Sequence, residues 1–337
     1  MINLKSLSKN DLHRFAEEQG LPSYRADQLL HWIYERYVGD IDEITEFSKE
    51  LRQRLKANSF ISNLFLEQRL RSKDGTEKFL FELEDGQAIE SVLILDEGRH
   101  TLCISSQVGC AMGCVFCLTG KNGFARNLLA YEIVDQIIFV NRLIRPEKIT
   151  NVVFMGMGEP LLYFANVVEA LWRIVDFIGI SKRKITLSTS GIVPKILLLP
   201  QKAPAVNLAI SLNAASDNVR NRLMPVNRKY PLQSVLDACR KYPLQHGRRI
   251  TFEYVLIEGE NDSPEDARRL VRLLKGLRCK INLIPLNPHK GSTLKSPPHE
   301  RTLAFQNILL EKNLRTMIRE SRGQDILAAC GQLRAGS

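Results

Sequence analysis

The sequence predicts an α/β fold: a largely parallel sheet or barrel covered by helices and entered through a small helical segment. Three observations lead there. From residue 101 onward, strand-like apolar runs alternate with stretches of helical periodicity. The chemically suggestive residues fall just after those runs, where α/β folds keep their sites. With 337 residues, 44% hydrophobic and 25% charged, the chain has the balance of an ordinary globular protein with a sizeable core.

The elements follow in order. Ser8, Ser23 and Ser48 each precede an amphipathic stretch and are expected to cap three short helices, the third over 49–56. Leu12 and Phe15 line one inner face; Leu29, Leu30, Ile33 and Tyr34 line the next. Arg25, Arg36, Lys49, Arg52, Arg54 and Lys56 make this segment basic. Period-two runs over 78–83 and 88–95, bounded by Asp74-Gly75, Asp85-Gly86 and Gly98, predict a short meander. It leads into a strand over 101–106. Further strands are expected over 151–156, 184–190, 206–212, 250–257 and 280–286, with helices over 130–143, 165–177, 230–241 and 264–275. Repeated βα units imply a parallel sheet, either open or rolled into a full or partial barrel.

Charge and targeting narrow the class. A net charge of +10 and a pI near 9.3 favour a polyanionic partner, nucleic acid first, over a merely solubilising surface. Residues 1–18 already carry Lys, Arg, His and Asp without an apolar core, so no secretory signal is expected. The longest apolar run, near 133–144, is broken by Asp135, Gln136, Asn141 and Arg142, so no membrane span is expected either. The expectation is a cytoplasmic protein.

Seven cysteines are present, an odd count that argues against a disulfide framework. Cys110, Cys114 and Cys117 lie within one short segment after a strand. A zinc site normally takes four ligands in paired spacing, and no second pair follows nearby. Three close thiolates suit a 4Fe-4S cluster with one iron left open. The amine and carboxylate of S-adenosylmethionine (SAM) could chelate that iron. Gly109 and Gly113 would let the loop wrap closely, and Phe116 could shield a cluster. A zinc knuckle and three inert cysteines are the competing readings.

Other strand ends carry polar groups. The segment 154–160, FMGMGEP, offers Gly158 for close backbone approach and Glu159 to receive an ammonium. Ser190, Ser211, Leu212 and Asn213 also end strands and could meet a ribose or a carboxylate; helix capping competes with that reading. Asn287 could read an adenine edge, or serve only as a turn residue before Pro288. Cys330, beside Gly331 near the end of the sequence, is either a mobile nucleophile or a buried structural thiol.

The CxxxCxxC pattern with Phe116 before its last cysteine resembles the radical SAM superfamily. The ordered set SSQVGC, NVVFMGMGEPL, TLSTSG, ISLNA, INLIPLNP and AACGQL resembles the RlmN/Cfr family of adenine methyltransferases, with Pro160 favouring the RlmN branch. The likeness runs from about residue 90 to 333 and extends loosely to 24–34. Asn213 stands where many relatives have His.

The resemblance implies a partial (β/α)6 barrel over 96–323, a basic helical accessory domain over 1–60 that grips RNA, a β extension over 61–95 and a tail over 324–337. It implies a 4Fe-4S cluster on Cys110, Cys114 and Cys117, and SAM held by Gly158, Glu159, Ser190, Ser211, Leu212, Asn213 and Asn287. The implied reaction is methylation at carbon 2 of adenosine 2503 in 23S rRNA, and of adenosine 37 in some tRNAs. One SAM methylates Cys330; a second yields a radical that activates the carried methyl for addition to the base. Glu90 would take the carbon 2 proton, and Cys103 would release the product by forming a disulfide with Cys330. A flavodoxin or ferredoxin would donate the electron to a monomeric enzyme. Cys239 and Cys279 read as core cysteines. The alternatives are a Cfr-like adenine-C8 methyltransferase, a radical SAM enzyme acting on a small molecule or a glycyl site, and a non-catalytic iron–sulfur or zinc RNA-binding module.

Overall fold

The structure, a computed structural model, describes residues 1–289 and 291–334. A ten-stranded sheet organises the chain. Its parallel part runs through Arg99–Cys103, Asn151–Phe154, Ile185–Thr189, Asn207–Ser211, Ile250–Leu256, Cys279–Pro285 and the short Thr316–Ile318, each bonded to the next. Parallel neighbours need crossovers. These are carried by the helices Ala130–Leu143, Phe164–Asp176, Val193–Lys202, Leu232–Lys241, Pro264–Leu274 and His299–Glu311. The sheet ends at two free edges, so the barrel is partial.

Strand periodicity divides the labour between two faces. Outward residues such as Leu187, Ile210, Phe252, Tyr254, Ile281 and Leu283 pack under the helices and are at most 1% exposed. Each such side chain stabilises the fold by roughly 1.5–3 kcal/mol when buried. The residues between them, including Ser188, Glu253 and Asn282, line cavities inside the barrel. The barrel is thus apolar outside its wall, while polar groups stand among apolar ones within.

The helical segment comprises Lys9–Glu18, Tyr24–Tyr34 and Lys49–Asn58. Ser8 and Ser48 cap as expected, accepting from Asp11 N and Leu51 N at 3.2 Å. Ser23 does not: its backbone is already helical, and its hydroxyl lies 2.9 Å from His13 Nδ1. Arg25 lies over the rings of Tyr24 and Phe47. The segment docks on the barrel helices through a buried Lys5–Asp135 pair at 2.7 Å. Arg173, also buried, donates to the carbonyls of Lys5 and Leu7 and to the Tyr34 hydroxyl.

Three antiparallel strands, Phe65–Arg71, Glu77–Glu82 and Ala88–Asp96, continue the sheet from Arg99–Cys103. The first was not expected. As an edge strand it is mostly exposed, and only Leu66 and Leu70 are partly covered, so its apolar pattern is thin. The helices Val193–Lys202, Asp217–Leu223 and His299–Glu311 and the strand Thr316–Ile318 were also unexpected. The first of these helices carries Pro200, which obscures its period. Cys239 and Cys279 lie in the core, as expected. Of the tail expected over 324–337, residues 335–337 lie outside the described residues. Among the described residues, no helix is long and apolar enough to cross a membrane.

Candidate active site

The cysteine loop closes a two-stranded ribbon, Gln107–Gly109 against Phe124–Asn127. Cys110 N donates to Gly123 O at 2.7 Å, and Val115 N to Leu223 O at 3.1 Å, so both ends and the middle are pinned. Gly109 is required here: its φ is +76°, and a Cβ would fall 2.1 Å from Gly123 O. Gly113 has open space around it, with Pro225 as its nearest contact at 3.8 Å. Phe116 packs beside Cys114 on a small apolar cluster of Leu223, Met224, Ile257 and Leu286.

The three cysteines share the wall of a cavity at the carboxyl ends of the strands. Burial pushes the Cys110 thiol up to about 12 and raises that of Cys114 further. Among the described residues, no three His, Cys, Asp or Glu side chains are drawn together as ligands of a single metal ion. A four-iron cluster takes one thiolate per iron, so its cysteines stand wider apart than the ligands of one ion. The donor set is three soft thiols without a fourth partner, which suits iron–sulfur binding better than structural zinc. A buried cation beside Cys114 adds to the fit. Arg220 is 0% exposed and, among the described residues, forms no ion pair, donating to neutral acceptors. Burial pulls it down to about 10, while Cys114 and Asp217 pull the other way. A cluster of thiolate-bound iron would supply the missing negative charge.

Gly158, Glu159, Ser190, Ser211, Asn213 and Asn287 all line the same cavity. Leu212 does not; its side chain is in the core, and its carbonyl accepts from Arg220 Nε at 2.9 Å. At Gly158, where φ is +103°, a Cβ would fall 2.6 Å from Gln107. Glu159 is buried and already accepts from Leu161 N, the Thr189 hydroxyl and Ser190 N at 2.6–3.0 Å. Its carboxylate ties its own loop to the end of strand Ile185–Thr189, which leaves little room for an ammonium. Asn213 sits in the left-handed region at φ +57°, which Asn tolerates. Its Oδ1 accepts from Val255 N at 2.9 Å.

Asn287 is engaged by the tail: its Nδ2 donates to Cys330 O at 3.1 Å, and its Oδ1 accepts from Gln324 Nε2 at 2.9 Å. The adenine-reading edge expected of it is taken in this arrangement.

The tail brings Cys330 to the wall of the cysteine-lined cavity and also to a second, smaller one. The second holds about 50 Å³, room for little more than water, between Cys330, Cys103 and Arg319. Burial and the facing Cys330 push the Cys103 thiol up to about 12, against the pull of Arg319. All seven cysteines are free, so no disulfide joins Cys103 to Cys330 here. Glu90 lines neither cavity. Its carboxylate pairs with Lys78 at 2.9 Å and accepts from Arg334 N at 2.6 Å; burial raises its pKa, and Lys78 opposes that.

Sequence reasoning missed Arg220, Arg319, Gln107 and Glu253. Gln107 Oε1 accepts from Glu159 N at 2.8 Å. Glu253 lies in the barrel interior with Oε1 on Asn282 Nδ2 and Oε2 without a partner. It lines the cysteine cavity, where a ligand hydroxyl or ammonium could satisfy it. Only the Gln107 of SSQVGC lay in a noticed motif.

Comparison with known proteins agrees with this geometry. The radical SAM superfamily pattern matches residues 104–271, and the ribosomal RNA large subunit methyltransferase N-terminal domain matches 2–61. A protein of Geobacter sulfurreducens named dual-specificity RNA methyltransferase RlmN is 50% identical over 99% of this chain and 92% of its own. A protein of the same name from Pelobacter propionicus is 48% identical over 98% and 95%. The crystal structure of a radical SAM methyltransferase from Sphaerobacter thermophilus superposes with a TM-score of 0.95 at 43% identity, covering 100% of both chains.

Proposed function

The chain belongs to the RlmN family of radical SAM RNA methyltransferases, and from that premise we propose that it methylates carbon 2 of adenosine 2503 in 23S rRNA and of adenosine 37 in some tRNAs. The observation that carries the proposal is the place of Cys330, on the shared wall between the cysteine-lined cavity and the one holding Cys103.

Carbon 2 of adenine is electron-poor and cannot attack a sulfonium methyl, so an ordinary displacement does not serve. When bound, the 4Fe-4S cluster on Cys110, Cys114 and Cys117 and two SAM supply the methyl group and the one-electron chemistry that the base requires. Cys330 Sγ accepts the methyl and carries it to the base, which becomes joined to the protein through that sulfur. Glu90, held by Lys78, takes the carbon 2 proton once the tail that now bonds it has shifted. Cys103 then attacks Cys330 Sγ as a thiolate; a sulfur–sulfur bond forms, and the bond from Cys330 to the methyl carbon breaks. The electron pair of that broken bond stays on the released one-carbon unit, which gave up one hydrogen before joining the base and takes a proton from water to become the product methyl.

Arg319 faces both thiols and favours their ionised forms. Gly158, Ser190 and Ser211, and Asn287 once released from the tail, are the proposed SAM contacts. The basic helical segment grips the RNA, and a flavodoxin or ferredoxin supplies electrons to a monomer in the cytoplasm. Mass spectrometry of 23S rRNA from cells with and without the gene tests the reading. Loss of one methyl from adenosine 2503 supports it; an unchanged base, or a methyl at carbon 8, overturns it.

A further inference from the structure

The barrel has a second opening, at the amino ends of its strands. Thr186 pairs with Asn207 and Thr251 with Lys280, and Arg315 immediately precedes strand Thr316–Ile318, so their residues form one layer at the foot. There the wall encloses a recess of about 250 Å³. Arg248, Arg249, Lys280 and Arg315 line it, with no acidic residue among them.

Elsewhere many cations of this protein are neutralised, as Arg69 is by Glu77 and Arg126 by Asp85 and Glu132. None of the four has an ion pair among the described residues. Arg248 is the most confined. One of its guanidinium nitrogens donates to Ala205 O, while Nη2 is shut off from solvent without an acceptor. Burial and the nearby Arg183 both draw its pKa down, as expected where positive charge is crowded. A buried donor without a partner destabilises a fold unless something accepts from it.

We propose that this recess is a phosphate-binding site, separate from the cavity at the rim. Three arginines and one lysine line the recess together with Thr186 and Thr251. A tetrahedral, multiply charged group accepts from several directions at once and offsets several charges. A carboxylate has one charge and two coplanar oxygens, and would leave most of these donors unused.

Calorimetric titration of the full chain with inorganic pyrophosphate at low salt tests the proposal. One saturable site is expected. Arg249→Gln with Arg315→Gln should weaken it by about tenfold or more, because two charge-assisted contacts are lost. These two side chains are exposed and hold no ion pair, so the fold should survive, which circular dichroism checks. Arg268→Gln with Arg272→Gln, exposed cations of helix Pro264–Leu274, serves as the control and should leave the pyrophosphate affinity unchanged. A tRNA transcript identifies the source. If the phosphate belongs to RNA, the transcript displaces pyrophosphate, and the double variant flattens the salt dependence of RNA binding by about 0.7–0.9 per charge removed. If it belongs to a small anion, RNA does neither. Absence of saturable uptake by the unaltered protein overturns the proposal. So does equal loss in the control, which would mean diffuse charge and no site.

Discussion

Two segments bring cysteines to the same cavity, and they are held in opposite ways. The loop with Cys110, Cys114 and Cys117 is pinned by its own ribbon and by backbone bonds to neighbouring loops. The tail with Cys330 shares a backbone bond with that loop, Leu118 N to Gly331 O at 2.7 Å, and is otherwise strapped mainly through side chains, its own and those of distant residues. Asp325 bonds the Ser72 hydroxyl and Lys73 N, Asp74 accepts from Gly323 N, Lys78 donates to Leu327 O, and the Thr119 hydroxyl to Leu333 O. Main-chain pinning survives most substitutions. Side-chain straps can be removed one at a time. The loop is built to stay and the tail to dock, and that difference can be tested.

The largest effect should separate the two outright. Cys114→Ala should cost iron, colour and SAM cleavage together. Cys330→Ala should keep all three and lose methyl transfer completely, because no carrier remains. Iron content and SAM cleavage measured on both variants check this; full cleavage by the Cys114 variant would break the comparison.

Next comes the partner thiol. Cys103→Ala should still load Cys330 and add to the base, but it cannot release it. A protein–RNA adduct should accumulate, visible on a denaturing gel as a band that nuclease collapses. An inactive variant without that band would remove Cys103 from the release step.

The release step should also respond to pH. The Cys103 thiol is pushed up to about 12, so at ordinary pH only a small fraction is thiolate. That fraction, and with it the decay of the adduct in the unaltered protein, should rise about tenfold for each unit by which the pH is raised, as long as it stays below that value. A decay rate flat in pH would mean that another group attacks.

The smallest effect belongs to a single strap. Asp325→Ala removes its bonds to Ser72 and Lys73, made at 2.6 and 3.2 Å. Tail docking should weaken, because two hydrogen bonds that hold the docked form are lost. Limited proteolysis should cut the tail sooner while the iron content is unchanged. A loss of iron would show that loop and tail are one unit after all.

The same contrast explains what could be read in advance. The barrel strands before Thr316–Ile318 were legible because they carry buried apolar residues at alternate positions, as Leu208 and Ile210 do. The thiolate loop was legible because its spacing is itself the chemistry. Phe65–Arg71 hid because an edge strand buries little. Arg220, Arg319 and Glu253 hid for another reason. Each is one polar residue in an unremarkable stretch until the strands roll up and turn it inward. Glu159 and Asn287 were found and line the expected cavity, but the sequence did not show the bonds that engage their polar groups with the protein's own loop and tail in this arrangement. Spacing identifies groups able to bind, and tertiary contact decides which of them are free to do so.

The small cavity around Cys103 carries a further consequence, one of timing. Of the two thiols only Cys330, the exposed one, lines the cavity shared with Cys110, Cys114 and Cys117; Cys103 is half-buried and lines the recess of about 50 Å³ behind it. A methyl donor held in the larger cavity therefore meets Cys330 first. The order of events then follows from position: the outer sulfur takes the methyl, and the inner one stands behind it to end the cycle.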